Sequence, residues 1–253
     1  DPLAGFIRSR SVQRRPFSTK PLGVGQKRAL ANAVGADCEV AWLETPRERW
    51  KAAWLMFRNA RLRLTLPEAY QVHRDIIEWG ARFSVDKVPD QAVGLDPLTL
   101  KLTRWVMGSW ARVCFFNRYL FGTLAPRLQL DLLPGLACAA HFALIWKKNP
   151  ETIDDFISAG RAVQRFWLTA TQLGLQLQPE MTPLIFSRYA REERHFSASP
   201  HARPTAEQIR QEFEALFPDA QGAVFLGRIG HAPAPKARSL RQSLARLYLG
   251  REQ

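Results

Sequence analysis

The segment Asp1–Lys20 carries Arg8, Arg10, Arg14, Arg15 and Lys20 against a single acid, Asp1, with Ser9, Ser11, Ser18 and Thr19 between the bases. Guanidinium groups beside hydroxyls suit a phosphate monoester and its sugar chain, the first as bidentate ion partners and the second as neutral donors. Basic runs are more commonly solvated tails, but Val12, Phe17 and Leu22 point to a segment anchored by its apolar members. A second pair of cations, Lys236 and Arg238, projects from the proline-spaced stretch GHAPAPKARSLR at the other end of the chain. Between them, Trp105, Trp110, Phe115, Phe116 and Tyr119 crowd one stretch. Flat rigid rings at that density suit a planar ligand, and equally a core. No general acid–base pair, metal-ligand cluster or Ser/His/Asp set stands out, and His73 and His141 read as structural.

Cys38, Cys114 and Cys138 are odd in number and far apart, which excludes a CxxC metal motif and a disulfide framework and makes a reducing cytoplasm the default. The composition is that of a folded protein, 46% apolar and 23% charged. A formal charge of +13 draws phosphate groups without naming their carrier. The longest apolar stretch, 132–146, is too short for a membrane span and contains Pro134 and His141. The first residues include neither a starting Met nor an apolar signal core, which suggests an excised or truncated piece with room for an upstream domain.

The element that must position these groups is the stretch Ser158–Pro179. Ala159, Ala162, Val163, Phe166, Trp167, Ala170, Leu173 and Gly174 recur at three- and four-residue spacing, which predicts a buried helix whose small residues let a second backbone approach. It exits through Gly174 into the alternating run LQLQP, an extended segment. Helices are expected at Pro21–Val34, stopped by Gly35, at Arg47–Leu64, at Pro67–Phe83 and at Thr205–Leu216 behind a Thr205-x-x-Gln208 capping box. Strands are expected at Cys38–Glu44, in CAAHFALIW, at Thr182–Ser187 and at Gly222–Ile229. Ser84–Pro97, broken by Pro89 and Gly94, reads as a mobile cover, and 84–125 as a helical, aromatic insertion or lid within a single domain over 1–253.

The order of these features resembles the nitroreductase-like family of FMN-dependent oxidoreductases. The family's opening Arg-Arg-Ser-x-Arg-x-Phe segment is matched at its two ends by Arg10-Ser11 and Arg15-Pro16-Phe17, with two extra residues between. Its G-x-A-x-Q-N-L helix ending in L-G-L is similar to Gly160–Phe166 and Leu173-Gly174-Leu175. Its closing Gly-His turn and Lys/Arg-x-Arg pair are similar to Gly230-His231 and Lys236-Ala237-Arg238. One departure stands out. Where the family has A-P-S-x-x-N-x-Q-P-W, this chain reads Ala33-Val34-Gly35-Ala36-Asp37-Cys38-Glu39, without the Asn or Gln that reaches the flavin.

The resemblance implies an α+β fold, a central, mostly antiparallel sheet flanked by helices with a long central interface helix. It implies FMN held by Arg10, Ser11, Arg15, Lys236 and Arg238, with the backbone of Gln178, Pro179 and Glu180 bordering the isoalloxazine. NADH or NADPH would reduce the flavin and give way, in ping-pong order, to a planar or small organic acceptor, in a homodimer. No GxGxxG motif offers a separate nicotinamide site. Two other classes remain open. One is a weakly active or inactive module of the same fold attached to an upstream, E1-like adenylating domain. The other is a basic polyanion binder, against which stand the dispersal of the cations along the chain and the lack of a nucleic-acid motif.

Overall fold

The run Ala140–Trp146 is apolar at nearly every position because it has both a neighbour on each edge and helices on each face. In the computed structural model, which describes residues 1–247, this strand sits between two others and only Trp146 reaches partial exposure. The strands are β1 (Cys38–Leu43), β2 (Ile77–Glu78), β3 (Phe83–Ser84), β4 (Val88–Pro89), β5 (Ala140–Trp146), β6 (Gln176–Pro179), β7 (Ala223–Gly230) and β8 (Arg238–Ser239). The helices are α1 (Val24–Ala33), α2 (Pro46–Thr65), α3 (Pro67–Ile76), α4 (Pro97–Val106), α5 (Trp110–Tyr119), α6 (Leu124–Arg127), α7 (Leu133–Leu136), α8 (Ile153–Gln172), α9 (Thr182–Arg191), α10 (Ala202–Leu216) and α11 (Leu244–Leu247). The main sheet runs β1-β5-β7-β6 and is antiparallel at every pairing.

Alternation along β5 divides the interior into two layers. Phe142 and Leu144 pack with Leu30 of α1 and Phe166 of α8, whereas Ala143 and Ile145 pack with α2, α9 and α10 through Leu55, Phe186 and Phe213. The rings of Phe142 and Phe166 lie 4.6 Å apart and both are fully buried, each worth about 1.5–3 kcal/mol of apolar transfer. Helix α8 opens with Thr152, whose side chain accepts from the Asp155 N–H while Asp155 returns to the Thr152 N–H. It closes at Gly174, φ +71°, a left-handed position where glycine is unstrained. The stripe read from the sequence is its buried face: Ala159, Ala162, Phe166, Trp167 and Ala170.

Three expectations change. Helix α3 ends at Ile76 rather than Phe83, because the chain turns extended at Ile77 and pairs β2 with β4. Thr182–Ser187 is helical, not a strand: α9 starts with Pro183 in its first turn and buries Leu184 and Phe186 against α10 and α2. Helix α10 begins at Ala202, so Thr205 lies within it; Pro204 is tolerated because a first-turn N–H has no intrahelical partner. The Ser84–Pro97 stretch, expected as a cover, meets both ends of the chain: Ser84 of β3 pairs with Ser239 of β8, and the Arg14 guanidinium donates to Ala92 O at 3.0 Å.

Candidate functional site

The basic N-terminal segment is laid along the free edge of the sheet. Val12 bridges Leu177 of β6 in parallel register, and the Gln13 N–H donates to Leu177 O at 3.2 Å. Farther on, the Phe17 N–H donates to Ala137 O at 2.7 Å and the Ser18 N–H to His231 O at 2.8 Å. From below, Arg228 of β7, 1% exposed, sends Nη2 to Arg14 O at 2.8 Å, Arg15 O at 3.2 Å and Gln178 Oε1 at 2.6 Å. From the C-terminal side, Arg238 donates to Ser9 O at 3.2 Å and Arg241 to Arg10 O at 3.2 Å. Backbone carbonyls thus engage three arginines; within the segment Gln13 and Phe17 are buried, Arg14 is spent on Ala92 O, and Arg15 stays exposed.

Two adjoining clefts result, sharing Val12, Arg14 and Ala92. The smaller, about 110 Å³, gathers Arg10, Ser11, Arg238 and Arg241 beside Trp167. The Arg10 guanidinium lies 4.3 Å over the Trp167 ring, and its Nε is buried without a hydrogen-bond partner. Burial, and then the charge of Arg241, lower its pKa to about 10. A half-buried cation set against a second cation, with an unspent donor, is a site that an anion relieves. The larger cleft, about 1110 Å³, is lined by Arg14, Arg15, Arg82, Lys101, Arg104 and Lys236 against the single carboxylate Asp90. Asp90 Oδ2 is engaged by the Gly80 N–H at 2.9 Å.

The sequence-derived residues therefore separate. Arg10, Ser11 and Arg238 meet in the small cleft, while Arg15 and Lys236 line the large one. Gln178 is spent on Arg228, and Pro179 closes β6 against Gly227. Glu180 turns inward: its N–H donates to Leu226 O at 2.8 Å and its carboxylate lies 2.7 Å from His141 Nδ1. The five aromatics gather on α4 and α5 and none lines either cleft. What α4 presents to the large cleft is Leu100, Lys101 and Arg104, with Pro97 at its start. Arg241 lies in a basic run already visible in the sequence. Arg82, Lys101 and Arg104 carry no local signal, because only the folding of β3 and α4 against the termini brings them there.

Behind the clefts lies a buried charge cluster. His141 Nε2 lies 2.9 Å from the Gly135 carbonyl, which can only accept, so Nε2 carries a proton while Nδ1 faces Glu180. Burial presses the imidazole pKa down, but the Glu180 carboxylate, with Cys138, overrides it and holds it well above its ordinary value. Asp131 beside this cluster is raised to about 6 by burial, only partly opposed by Arg63. Gly135 is required at the contact: a Cβ there would stand 2.8 Å from Ala53 Cβ on α2. Among the described residues no His/Cys/Asp/Glu group could hold a metal ion, and no helix is long and apolar enough to cross a membrane.

No protein-family model matches the chain. The uncharacterised protein MT1398 of Mycobacterium tuberculosis (strain CDC 1551 / Oshkosh) is 36% identical over 220 residues, 84% of this chain and 29% of that protein. The chain thus spans under a third of the length of this relative. Among solved structures, a BluB-like flavoprotein of Clostridium difficile 630 superposes over 99% of both chains with a TM-score of 0.50 at 13% identity. The chain has the nitroreductase-like fold. The FMN-dependent nitroreductase NfnB of Mycobacterium smegmatis, solved in complex with NADPH, matches over 99% of both chains at a TM-score of 0.49 and 15% identity. The nitroreductase-like α+β architecture expected from the N-terminal, central-helix and C-terminal motifs is therefore the one found, with an antiparallel central sheet and α8 across it.

Proposed function

We propose that this nitroreductase-like chain binds FMN and acts as an NAD(P)H-dependent oxidoreductase on a planar or small organic acceptor. The observation that carries the reading is the meeting of Arg10, Ser11, Arg238 and Arg241 in a phosphate-sized cleft opening beside a ligand-sized cationic one. Arg10, Arg238 and Arg241 would hold the phosphate, Ser11 would donate a neutral hydrogen bond, and Arg15 and Lys236 would hold the remainder from the rim. Bound FMN supplies the hydride chemistry, and the protein orients its partners. Ile153, Phe156 and Ile157 stand exposed along α8, and a Cβ at Gly160 would meet nothing within 4 Å, a face suited to a second copy. Three unpaired cysteines suit a reducing compartment.

The test is the visible spectrum of purified protein with quantification of FMN released on denaturation. About one FMN per chain is expected under one-site binding, and Arg10→Ala or Lys236→Ala should strip it. Oxidation of NADH and NADPH with a panel of acceptors follows. A second reading, a turnover-free module serving a further domain, is favoured by the Ala33–Glu39 run without Asn or Gln and by the engagement of the Glu180 N–H with Leu226. Colourless protein that takes up no added FMN selects this second reading and rejects the first.

A further inference from the structure

A third cationic hollow, about 490 Å³, lies between α2, the end of α6 and the start of α10, and shares no residue with the two clefts above. Arg58, Arg61 and Arg127 line it and no carboxylate does. Arg58 is already neutralised by Glu212. The Arg61 guanidinium, among the described residues, has neither an ion pair nor a hydrogen bond. Arg127 spends Nε on Phe57 O at 2.8 Å and stacks 3.7 Å over the Phe57 ring, which fixes the guanidinium in place. Burial, and then the charge of Arg61, lower the pKa of Arg127, only partly offset by Asp131. Two cations therefore line one hollow, Arg127 fixed and partly buried and Arg61 exposed and unpaired among the described residues.

The rest of the lining suits an oxyanion. Ser199 and Thr205 present hydroxyls, and His201 adds a ring nitrogen. Neither hydroxyl donates to another described residue, so both are available to a ligand. The 15-residue helix α10 starts here without a side-chain cap and without an acid in its first turn, leaving the positive end of its dipole uncompensated. Leu62 and Ile209 complete an apolar floor. A hollow of this volume is within the range of small-molecule sites.

We infer that this hollow binds a phosphate-bearing small molecule, with Arg61 and Arg127 on its charged oxygens and Ser199 and Thr205 as hydroxyl donors. The inference does not rest on the flavin reading. Two sources share this chemistry: free diphosphate, and an organic diphosphate whose carrier lies on Leu62 and Ile209.

Isothermal titration of the full chain with inorganic pyrophosphate and, separately, with ADP at low ionic strength tests it. Arg61→Glu and Thr205→Glu should each weaken pyrophosphate binding at least about tenfold, a like-charge effect of the size that buried or partly buried anion sites show. Thr205→Glu also places an acid in the first turn of α10, where it favours the helix, so lost binding with an unchanged melting curve cannot be unfolding. Arg10→Ala should leave this binding intact while removing FMN, which separates the two sites. Tighter binding of ADP than of pyrophosphate assigns the organic source, and equal binding the free one. Wild-type affinity in both glutamate variants, or loss of all pyrophosphate binding in Arg10→Ala, overturns the inference.

Discussion

Arg228 lies in the interior at 1% exposure, whereas Trp105 on α4 and Phe121 just beyond α5 stand 52% and 80% exposed. The first region, where β5, β6 and β7 meet, hides an arginine, a histidine and a glutamate. The second, the α4–α5 hairpin, buries no residue of α4 and only Val113 of α5. Each inverts the ordinary distribution, and such inversions are more informative than any conforming residue. The buried charges are each held by partners: Glu180 by His141, and Arg228 by three oxygens of Arg14, Arg15 and Gln178. The exposed aromatics are held mostly by one another, Phe115 against Tyr119 at 5.2 Å and Trp105 against Phe116 at 5.8 Å. Buried charge here braces the segment that carries the candidate anion site. The hairpin reaches α3 through Trp110 against Tyr70 at 5.2 Å.

That contrast predicts a graded set of effects. Glu180→Gln removes the partner of a buried imidazolium and should cost about 3–5 kcal/mol in urea unfolding. An effect below about 1 kcal/mol, the scale of an exposed pair, would show the pair to be solvated. The same pair gives wild type a signature on the alkaline side. Because the folded His141 pKa is raised, its contribution is complete below the ordinary 6.5 and is lost as pH rises through the folded value. Stability should therefore fall above neutrality in wild type and fall less steeply in Glu180→Gln.

Asp131 should act at lower pH. Its carboxyl, raised from 3.8 to about 6, favours the folded state when protonated. That contribution, about 3 kcal/mol by linkage, is complete below 3.8 and lost as pH rises through 6. Asp131→Asn should flatten the unfolding free energy over that interval, and an unchanged slope would remove Asp131 from the cluster. The smallest effect belongs to the hairpin. Tyr119→Ala should shift stability by no more than about 0.5 kcal/mol. A loss comparable to that of Glu180→Gln would mean that the hairpin is packed against something in solution, and sedimentation would show whether that is a second copy.

The two regions also differ in how far they were legible. The buried face of α8 followed from spacing, because an amphipathic helix has one solution to burying Ala162, Phe166 and Ala170. β5 followed from its unbroken apolar run. The hairpin aromatics have helical spacing as well, yet spacing reports that residues share a face and not what that face meets. None of the five lines either cleft, where α4 presents Leu100, Lys101 and Arg104 instead. Thr182–Ser187 is helical where a strand is expected, because a short apolar run suits strand and helix equally and packing against α10 decides between them.

The sequence by itself determined the long central helix, the buried run of β5 and the gathering of cations towards both ends of the chain, since charge and periodicity are local properties. Only the tertiary structure decided which cations meet. It brought Arg10 to Arg238 and Arg241, and Arg15 to Lys236, Arg82 and Arg104, and it turned Glu180 away from the surface and into His141. The physical reason is that convergence of like charges is unfavourable on its own. It is imposed by hydrogen bonds from Arg228, Arg238 and Arg241 to backbone carbonyls and by the pairing of the N-terminal segment with β6. None of these contacts leaves a trace in local sequence.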